Sequence, residues 1–208
     1  MHPLVPRLRA ARIIPVVRAS TATRAATAVA WLQEAGITVF EITMTVPEAP
    51  ALIRALAQDP ALLVGAGTVP DARTAETCLE AGAKFIVAPW VDATLASPCQ
   101  DAGACLMLGA MTPTEVRAAL DAGADVVKIF PASSAGGPAH IRSIRAVFPD
   151  VAFCPTGGVD ARNAPDYLAA GAAFVGIGGK LVDETLVAAG DRAAVQRAAE
   201  EALGIMKA

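Results

Sequence analysis

The pattern that decides the fold of this 208-residue chain is contained in the stretch Ala122-Gly123-Ala124-Asp125-Val126-Val127-Lys128-Ile129-Phe130. An Ala-rich helical segment ends there in Ala-Gly, and an apolar run follows at once. Glycine at such a point adopts the left-handed conformation that ends a helix. A short apolar run without alternation is typical of a parallel strand covered on both faces. The stretch therefore predicts a helix followed directly by a buried strand.

The same pattern recurs along the chain. An Ala-Gly pair followed by an apolar run begins at Ala35, Ala81, Ala102, Ala122 and Ala170. Together with the remaining apolar runs, it predicts eight strands, at residues 13–18, 38–43, 62–67, 84–88, 105–109, 126–130, 151–155 and 174–177. Ala-rich amphipathic segments separate most of them. Eight alternating βα units in about 200 residues predict an α/β fold, a (β/α)8 TIM barrel that forms a single domain over residues 1–208.

The alternative architecture is a doubly wound open sheet. A glycine-rich G-x-G-x-x-G segment after the first strand would favour it, and none is present there. Two helix starts are also marked. Thr112-Pro113-Thr114-Glu115 provides an N-cap, a proline at the first helical position and a capping-box glutamate, and Asp160 is predicted to cap a later helix.

Composition restricts the functional class. The chain is 54% apolar with a net charge of −3, and it has no basic stripe, so nucleic-acid binding is not expected. No apolar run approaches the roughly 18–20 residues of a membrane span, and no secretory segment opens the chain. The four cysteines lack C-x-x-C spacing and are expected to be reduced, buried thiols. We expect a cytoplasmic protein that does not bind membranes.

Lys128 is the exception within its apolar run. A charged ammonium is rarely buried, and desolvation favours the neutral amine, which is a nucleophile that can form a Schiff base with a carbonyl compound. Two structural roles are the alternatives: a lysine that snorkels from an edge strand, or one paired with a buried carboxylate. The run alone does not separate these possibilities.

Alternation of side chains along a strand predicts which residues face the barrel interior. The predicted inward sets are Ile14, Val16 and Arg18; Val39, Glu41 and Thr43; Leu62, Val64, Ala66 and Thr68; and Val126, Lys128 and Phe130. Their polar members lie towards the carboxyl ends of the strands, where barrels assemble active sites. We therefore expect Glu41, Lys128, Arg18 and Thr68 to converge. Glu41 would then be a proton shuttle for imine chemistry or the partner in a structural ion pair.

Glycines follow the last two predicted strands, in Thr156-Gly157-Gly158 and in Gly178-Gly179. The loops after strands 7 and 8 of a barrel commonly bind an anion through backbone N–H groups. Tight turns are the alternative explanation, but two pairs at the appropriate strand ends favour an anion site. The two histidines, His2 and His140, lie at no strand end, so no catalytic metal is expected.

Taken together, these segments resemble the family of 2-keto-3-deoxy-6-phosphogluconate (KDPG) and 4-hydroxy-2-oxoglutarate (KHG) aldolases. The matching segments are residues 13–18, 41–47, 65–69, 111–115, 127–132 and 154–159. The likeness runs from about residue 10 to the end of the chain. Glu-Ile-Thr, Lys-Ile-Phe-Pro and Pro-Thr-Gly-Gly, in this order and at these strand positions, are specific.

The resemblance implies a homotrimeric class I aldolase that needs no cofactor and acts on a 2-keto acid. Lys128 would form the imine with the C2 ketone, and Glu41 would move protons, acting through a bound water. The substrate-binding residues that it implies are Arg18, Thr45, Thr68, Pro89, Phe130, Thr156, Gly157, Gly158, Gly178 and Gly179. The four glycines would receive a phosphate. The products would be pyruvate and glyceraldehyde 3-phosphate.

Two positions depart from the family pattern. Many members carry arginine where Thr45 stands, and members often carry serine where Gly179 stands, here followed by Lys180. A requirement for phosphate therefore stays open. Alternative substrates are KHG, the galactonate epimer and a non-phosphorylated 2-keto-3-deoxy acid. A barrel that only binds phosphosugars is a further alternative, although a buried lysine facing a glutamate has no use in it.

Overall fold

Eight parallel strands alternate with helices in the computed structural model, which describes residues 2–207. The strands are β1 (Ile13–Val17), β2 (Val39–Thr43), β3 (Leu63–Gly67), β4 (Phe85–Ala88), β5 (Cys105–Ala110), β6 (Val126–Ile129), β7 (Phe153–Pro155) and β8 (Val175–Ile177). Every predicted strand is present, with its ends within two residues of the predicted ones. The predicted domain limits include Met1 and Ala208, which lie outside the described residues.

The helices are α1 (Val5–Ala11), α2 (Ala22–Glu34), α3 (Ala49–Leu56), α4 (Ala72–Glu80), α5 (Ala96–Asp101), α6 (Pro113–Asp121), α7 (Gly137–Val147), α8 (Ala164–Ala169), α9 (Glu184–Ala188) and α10 (Arg192–Lys207). The predicted capping box begins α6: Glu115 N–H donates to Thr112 Oγ1, and Thr112 N–H donates to Glu115 Oε2. The Asp160 carboxylate accepts from the N–H groups of Arg162 and Asn163 and so caps the turn that leads into α8.

The strands form one sheet in the order β7-β6-β5-β4-β3-β2-β1-β8, with every neighbouring pair parallel. A parallel bridge between Thr156, directly after β7, and Gly176 of β8 closes the barrel. The strand order follows the chain without the reversal that a doubly wound sheet requires. The (β/α)8 prediction is confirmed and the alternative architecture is wrong.

Two apolar layers build the core. The larger layer lies between the strands and the surrounding helices and includes Phe40, Ile42 and Ile129. The smaller layer fills the amino-terminal end of the barrel, where Val5 and Leu8 of α1 pack with residues such as Val39, Phe85 and Phe174. Helix α1, which the sequence patterns do not predict, therefore plugs that end of the barrel. None of the helices found in residues 2–207 has the length and apolarity needed to cross a bilayer.

The predicted inward face of the third strand was wrong by one residue. Leu62, Val64 and Ala66 belong to the layer that faces the helices, whereas Leu63 belongs to the interior. The inward positions that follow Leu63 are Gly65 and Gly67. A strand covered on both faces is apolar throughout, so its hydrophobic pattern does not reveal which residues face inward. For β1, β2 and β6 the predicted faces are confirmed by Ile14, Val39 and Val126 in the interior.

All four cysteines are free and buried, as the sequence predicts. Burial raises the pKa of the Cys78 thiol to about 11 and that of the Cys99 thiol to about 12. The same desolvation raises the pKa of Cys105. These thiols therefore pack as small hydrophobic groups.

Candidate active site

Lys128 and Glu41 meet inside the barrel, towards the carboxyl ends of β6 and β2. Lys128 Nζ lies 3.4 Å from Glu41 Oε1. The two side chains are only 5% and 6% exposed, in that order. The predicted convergence of these two residues is confirmed, and it puts an amine and a carboxylate together in a nearly dry interior.

The geometry of this pair is loose. Charge-assisted N–H···O bonds are typically about 2.7–2.9 Å long, so a separation of 3.4 Å is a weak contact. Among the described residues, Glu41 is the only hydrogen-bond partner of Lys128 Nζ. The ring of Phe130 lies beside the amine, with its centroid 5.6 Å from Nζ. An amine held by one long contact keeps a direction open for attack on a carbonyl carbon, and the carboxylate beside it can accept or return a proton.

Glycine on the neighbouring strand makes room for the carboxylate. A Cβ atom built on Gly67 of β3 would collide with Glu41 Oε1 and with the Cγ and Cδ atoms behind it. Gly109 of β5 pairs with Lys128 in the register of β5 and β6. A Cβ atom built on Gly109 would collide with the backbone of Pro89. The absence of side chains at these two positions therefore shapes the space around the reactive pair.

Cys154 of β7 stands opposite Lys128 in the register of β6 and β7. Its Sγ lies 3.7 Å from Thr156 Oγ1. Burial raises the pKa of the Cys154 thiol to about 12, although the nearby Lys128 acts to lower it. Sequence reasoning treated this cysteine only as a small hydrophobe. Its alternation with Thr156 along β7 could have placed it beside the lysine.

A cavity of about 460 Å³ opens at the carboxyl ends of β1, β7 and β8. The predicted site residues that line it are Arg18, Phe130, Thr156, Gly157, Gly158, Gly178 and Gly179. Lys180 and Glu184 line it as well. Thr45, Thr68 and Pro89 are not among its lining residues.

These last three residues occupy other parts of the carboxyl-terminal end. The Thr43 hydroxyl donates to the Val17 carbonyl oxygen, so the Thr45 hydroxyl is the donor in its 2.7 Å bond to Thr43 Oγ1. Thr68 follows β3 with a φ of +56°, so strand alternation does not extend to its side chain. The backbone of Pro89 packs against Gly109. The structure therefore does not place these three residues in the cavity that Arg18 lines.

The two glycine pairs of the cavity differ in what the fold demands of them. Gly157 and Gly158 have φ values of +90° and +75°, and a Cβ on Gly158 would collide with the Ser133 side chain. A Cβ on Gly178 would lie 4.0 Å from the nearest atom, and one on Gly179 would meet nothing within 4 Å. Neither Gly178 nor Gly179 is among the residues with positive φ. The fold explains glycine after β7 but gives no reason for it after β8.

A closed barrel with a buried lysine in contact with a glutamate at this end defines, as a class, an enzyme site suited to Schiff-base chemistry on carbonyl compounds. No group of three or more metal-binding side chains occurs within residues 2–207. The family model described as KDPG and KHG aldolase matches residues 4–198, and the chain belongs to that family. It is accordingly a lyase of the aldolase type.

Individual relatives agree with this assignment. The chain is 36% identical over 196 residues to 2-dehydro-3-deoxy-phosphogluconate aldolase of Pseudomonas aeruginosa, covering 94% of this chain and 89% of that protein. A crystal structure of KDPG aldolase from Legionella pneumophila, with pyruvate captured at low pH as a covalent carbinolamine intermediate, superposes with a TM-score of 0.85 at 30% identity, covering 94% and 96% of the two chains. A cube-shaped protein cage designed by fusing symmetric oligomeric domains gives 0.83 at 27% identity, covering 94% of this chain and 72% of that one.

Proposed function

We propose that this chain is a class I aldolase that cleaves 2-keto-3-deoxy-6-phosphogluconate to pyruvate and glyceraldehyde 3-phosphate. The observation that carries the proposal is the contact of Lys128 with Glu41 in the barrel interior. The Legionella relative supports it, because a carbinolamine is the product of adding an amine to the carbonyl group of pyruvate.

In the first stage, Lys128 Nζ attacks the C2 carbonyl of the substrate and forms a carbinolamine. Loss of water then gives a protonated imine, which is an electron sink. Glu41, acting through a bound water, accepts the proton of the C4 hydroxyl. The C3–C4 bond breaks, its electron pair moves into the imine to form an enamine, and glyceraldehyde 3-phosphate leaves. The 3.4 Å distance between Lys128 Nζ and Glu41 Oε1 supports this role for Glu41, because a proton acceptor must lie close to the reacting group.

In the second stage, the enamine becomes pyruvate. Glu41 returns the proton to C3 and so regenerates the imine of pyruvate. Water adds to C2 of this imine, and the resulting carbinolamine releases pyruvate and the free amine of Lys128. The ring of Phe130, whose centroid lies 5.6 Å from Nζ, limits the water around the amine during these steps.

The ends of the substrate are assigned to different parts of the site. We place the keto-acid end near Thr45, Thr68 and Pro89, which follow the carboxyl ends of β2, β3 and β4. Arg18, which the resemblance implies as a carboxylate partner, lines the cavity of the glycine loops instead. Phe130 and Thr156 would lie between this end and the glycine loops, since both line the cavity. This assignment follows the family resemblance, and the position of each residue at the carboxyl end of the barrel supports it.

The phosphate end is assigned to the glycine loops after β7 and β8. Gly178 and Gly179 support this assignment because neither packing nor backbone conformation requires glycine there. A missing side chain lets an anion approach backbone N–H groups closely. Arg18 and Lys180 line the same cavity and add positive charge.

We also propose that the enzyme is a cytoplasmic homotrimer. The cage formed from fused symmetric oligomeric domains supports oligomer formation in this fold. The four free cysteines suit a reducing compartment. Light scattering on the purified protein tests the assembly, because a trimer has three times the chain mass of 21.1 kDa.

Borohydride trapping tests the chemistry. Reduction in the presence of pyruvate is expected to fix the keto acid on Lys128, with the corresponding mass increase on the peptide that contains it. Lys128→Met should abolish this adduct. Trapping that persists in this variant would refute the assignment of the amine.

A substrate comparison tests specificity. The value of kcat/KM is expected to be highest for KDPG, when it is compared with KHG, the galactonate epimer and non-phosphorylated 2-keto-3-deoxygluconate. A higher value for one of the others would replace the proposed substrate. Phosphosugar binding without cleavage of any of the four would instead indicate a non-catalytic barrel.

A further inference from the structure

Glu184 is an unexpected residue in a cavity proposed to bind a phosphate. It is the first residue of α9 and lines the cavity together with Arg18 and Lys180. A carboxylate free to turn towards Arg18 would neutralise the charge that an anionic substrate needs. The contacts of Glu184 therefore matter for substrate affinity.

Three hydrogen bonds hold the Glu184 carboxylate against Ser20 and Arg24. Its Oε1 accepts from Ser20 N–H at 2.8 Å, from the Ser20 hydroxyl at 2.5 Å and from Arg24 Nη1 at 3.2 Å. Arg24 Nη1 also donates to Ser20 Oγ at 2.7 Å. The bonds from Ser20, followed by those from Arg24, hold the pKa of the Glu184 carboxyl below its usual range. The Glu184 carboxylate is thus ionised and already hydrogen-bonded to the loop after β1.

The cations of the cavity are in the opposite situation. Arg18 lies two residues before Ser20 on the same loop, and its side chain is exposed. Among the described side chains, those of residues 2–204, neither Arg18 nor Lys180 has a hydrogen-bond or ion-pair partner. The other carboxylate of the wall, Asp183, accepts from the N–H groups of Thr185 and Leu186 and caps α9.

We infer that Ser20 and Arg24 are positioning residues that hold Glu184 away from Arg18, and so leave Arg18 free to bind the phosphate end of the substrate. The inference rests on the proposed function, since it assigns a phosphate to this cavity. Loss of Arg24 would leave Glu184 held by the neutral donors of Ser20 alone and would remove the positive charge that balances it. The carboxylate, which lines the cavity, would then compete more strongly with phosphate for Arg18.

Arg24→Met is the first test. KM for KDPG is expected to rise about threefold to fivefold, the range for a partly exposed charge pair, while kcat is retained. KM for non-phosphorylated 2-keto-3-deoxygluconate should not change. Arg24→Lys should keep most of the affinity. The matched control is Arg117→Met. Arg117 also forms a single ion pair, with Asp121 of α6, and its loss should leave both KM values unchanged.

The double variant Arg24→Met/Glu184→Gln separates charge from structure. If Arg24 acts by restraining Glu184, removal of the carboxylate should return KM for KDPG to within about twofold of the Glu184→Gln value. If KM for KDPG is as high in the double variant as in Arg24→Met, this inference is overturned and the proposed function is not. A wild-type KM for KDPG in Arg24→Met would have the same consequence. Equal KM values of the wild type for the two substrates would overturn the phosphate assignment, and the role of Arg24 with it.

Discussion

The two ends of the barrel interior are built from opposite kinds of residue. At the amino-terminal end, Leu8 of α1 and Phe174 before β8 are fully buried among apolar side chains. At the carboxyl-terminal end, the same interior contains the buried polar residues Glu41, Lys128 and Thr156. One end supplies buried apolar area, and the other holds polar groups whose desolvation costs stability. Stability and reactivity should therefore be separable by substitution at one end or the other.

Lys128→Met should give the largest effect, on the polar end. It retains the length of the side chain and removes the amine, so turnover of KDPG should fall to the background rate because no imine can form. A coupled assay for pyruvate measures this loss.

The matched control is Lys84→Met, which removes an exposed lysine directly before β4. It should retain wild-type turnover. Substantial turnover in the Lys128 variant would show that the polar end does not carry the reaction through this amine.

Leu8→Ala probes the apolar end. Removal of a fully buried leucine from the plug should lower the free energy of unfolding by about 3 kcal/mol, or roughly 150-fold in the unfolding equilibrium. Urea denaturation measures the change, and kcat per folded molecule should stay at the wild-type value. A fall in kcat at unchanged stability would contradict the separation of the two ends.

Glu41→Gln should lower turnover by a factor on the order of 10², because the proton acceptor is lost while the amine remains. Borohydride trapping of pyruvate should persist weakly, and this persistence distinguishes the variant from Lys128→Met. Glu76→Gln, an exposed glutamate on α4, is the control. Wild-type turnover in Glu41→Gln would remove this carboxylate from the mechanism.

Gly67→Ala sharpens the comparison without removing any polar group. The added methyl group collides with the Glu41 side chain, so the carboxylate must move from its place beside Lys128. Turnover should fall on the order of tenfold, since small displacements of reacting groups are costly. Gly204→Ala, with nothing within 4 Å of the added carbon, should have no such effect. Equal kcat values in the two variants would show that the position of Glu41 is not critical.

Gly179→Ala should have the smallest effect and should act on binding alone. The fold accommodates the methyl group, so stability should be unchanged, while KM for KDPG rises about fivefold as the anion is kept from the backbone. Gly158→Ala should instead lower stability, because its φ is positive and its Cβ meets Ser133. An unchanged KM in Gly179→Ala would contradict a phosphate on the β8 loop.

Local patterns were sufficient to predict the architecture of the molecule. The recurring Ala-Gly ends mark successive βα units, and alternation in β2 and β6 correctly turned Glu41 and Lys128 towards each other. The same rule failed in β3, where Leu62, Val64 and Ala66 are as apolar as Leu63. The available signal there was the spacing of Gly65 and Gly67, because inward positions beside large groups favour glycine.

Contacts between distant segments could not be predicted in this way. Glu184 and Ser20 are 164 residues apart, and no local pattern links a surface glutamate with a serine before a helix. Helix α1 was missed because it has only seven residues, and its two buried residues, Val5 and Leu8, are too few to give a helical periodicity. Both features depend on the closed barrel, which brings the first strand next to the last.

The position of Cys154 opposite Lys128 has a consequence for product selectivity. A thiolate there would compete with the amine for the aldehyde that carbon–carbon cleavage releases, and would convert it to a hemithioacetal. Because burial raises the pKa of this thiol to about 12, it stays protonated and weakly nucleophilic at neutral pH. Desolvation in the barrel wall therefore keeps Cys154 Sγ unreactive. Lys128 Nζ remains the nucleophile that attacks carbonyl carbons.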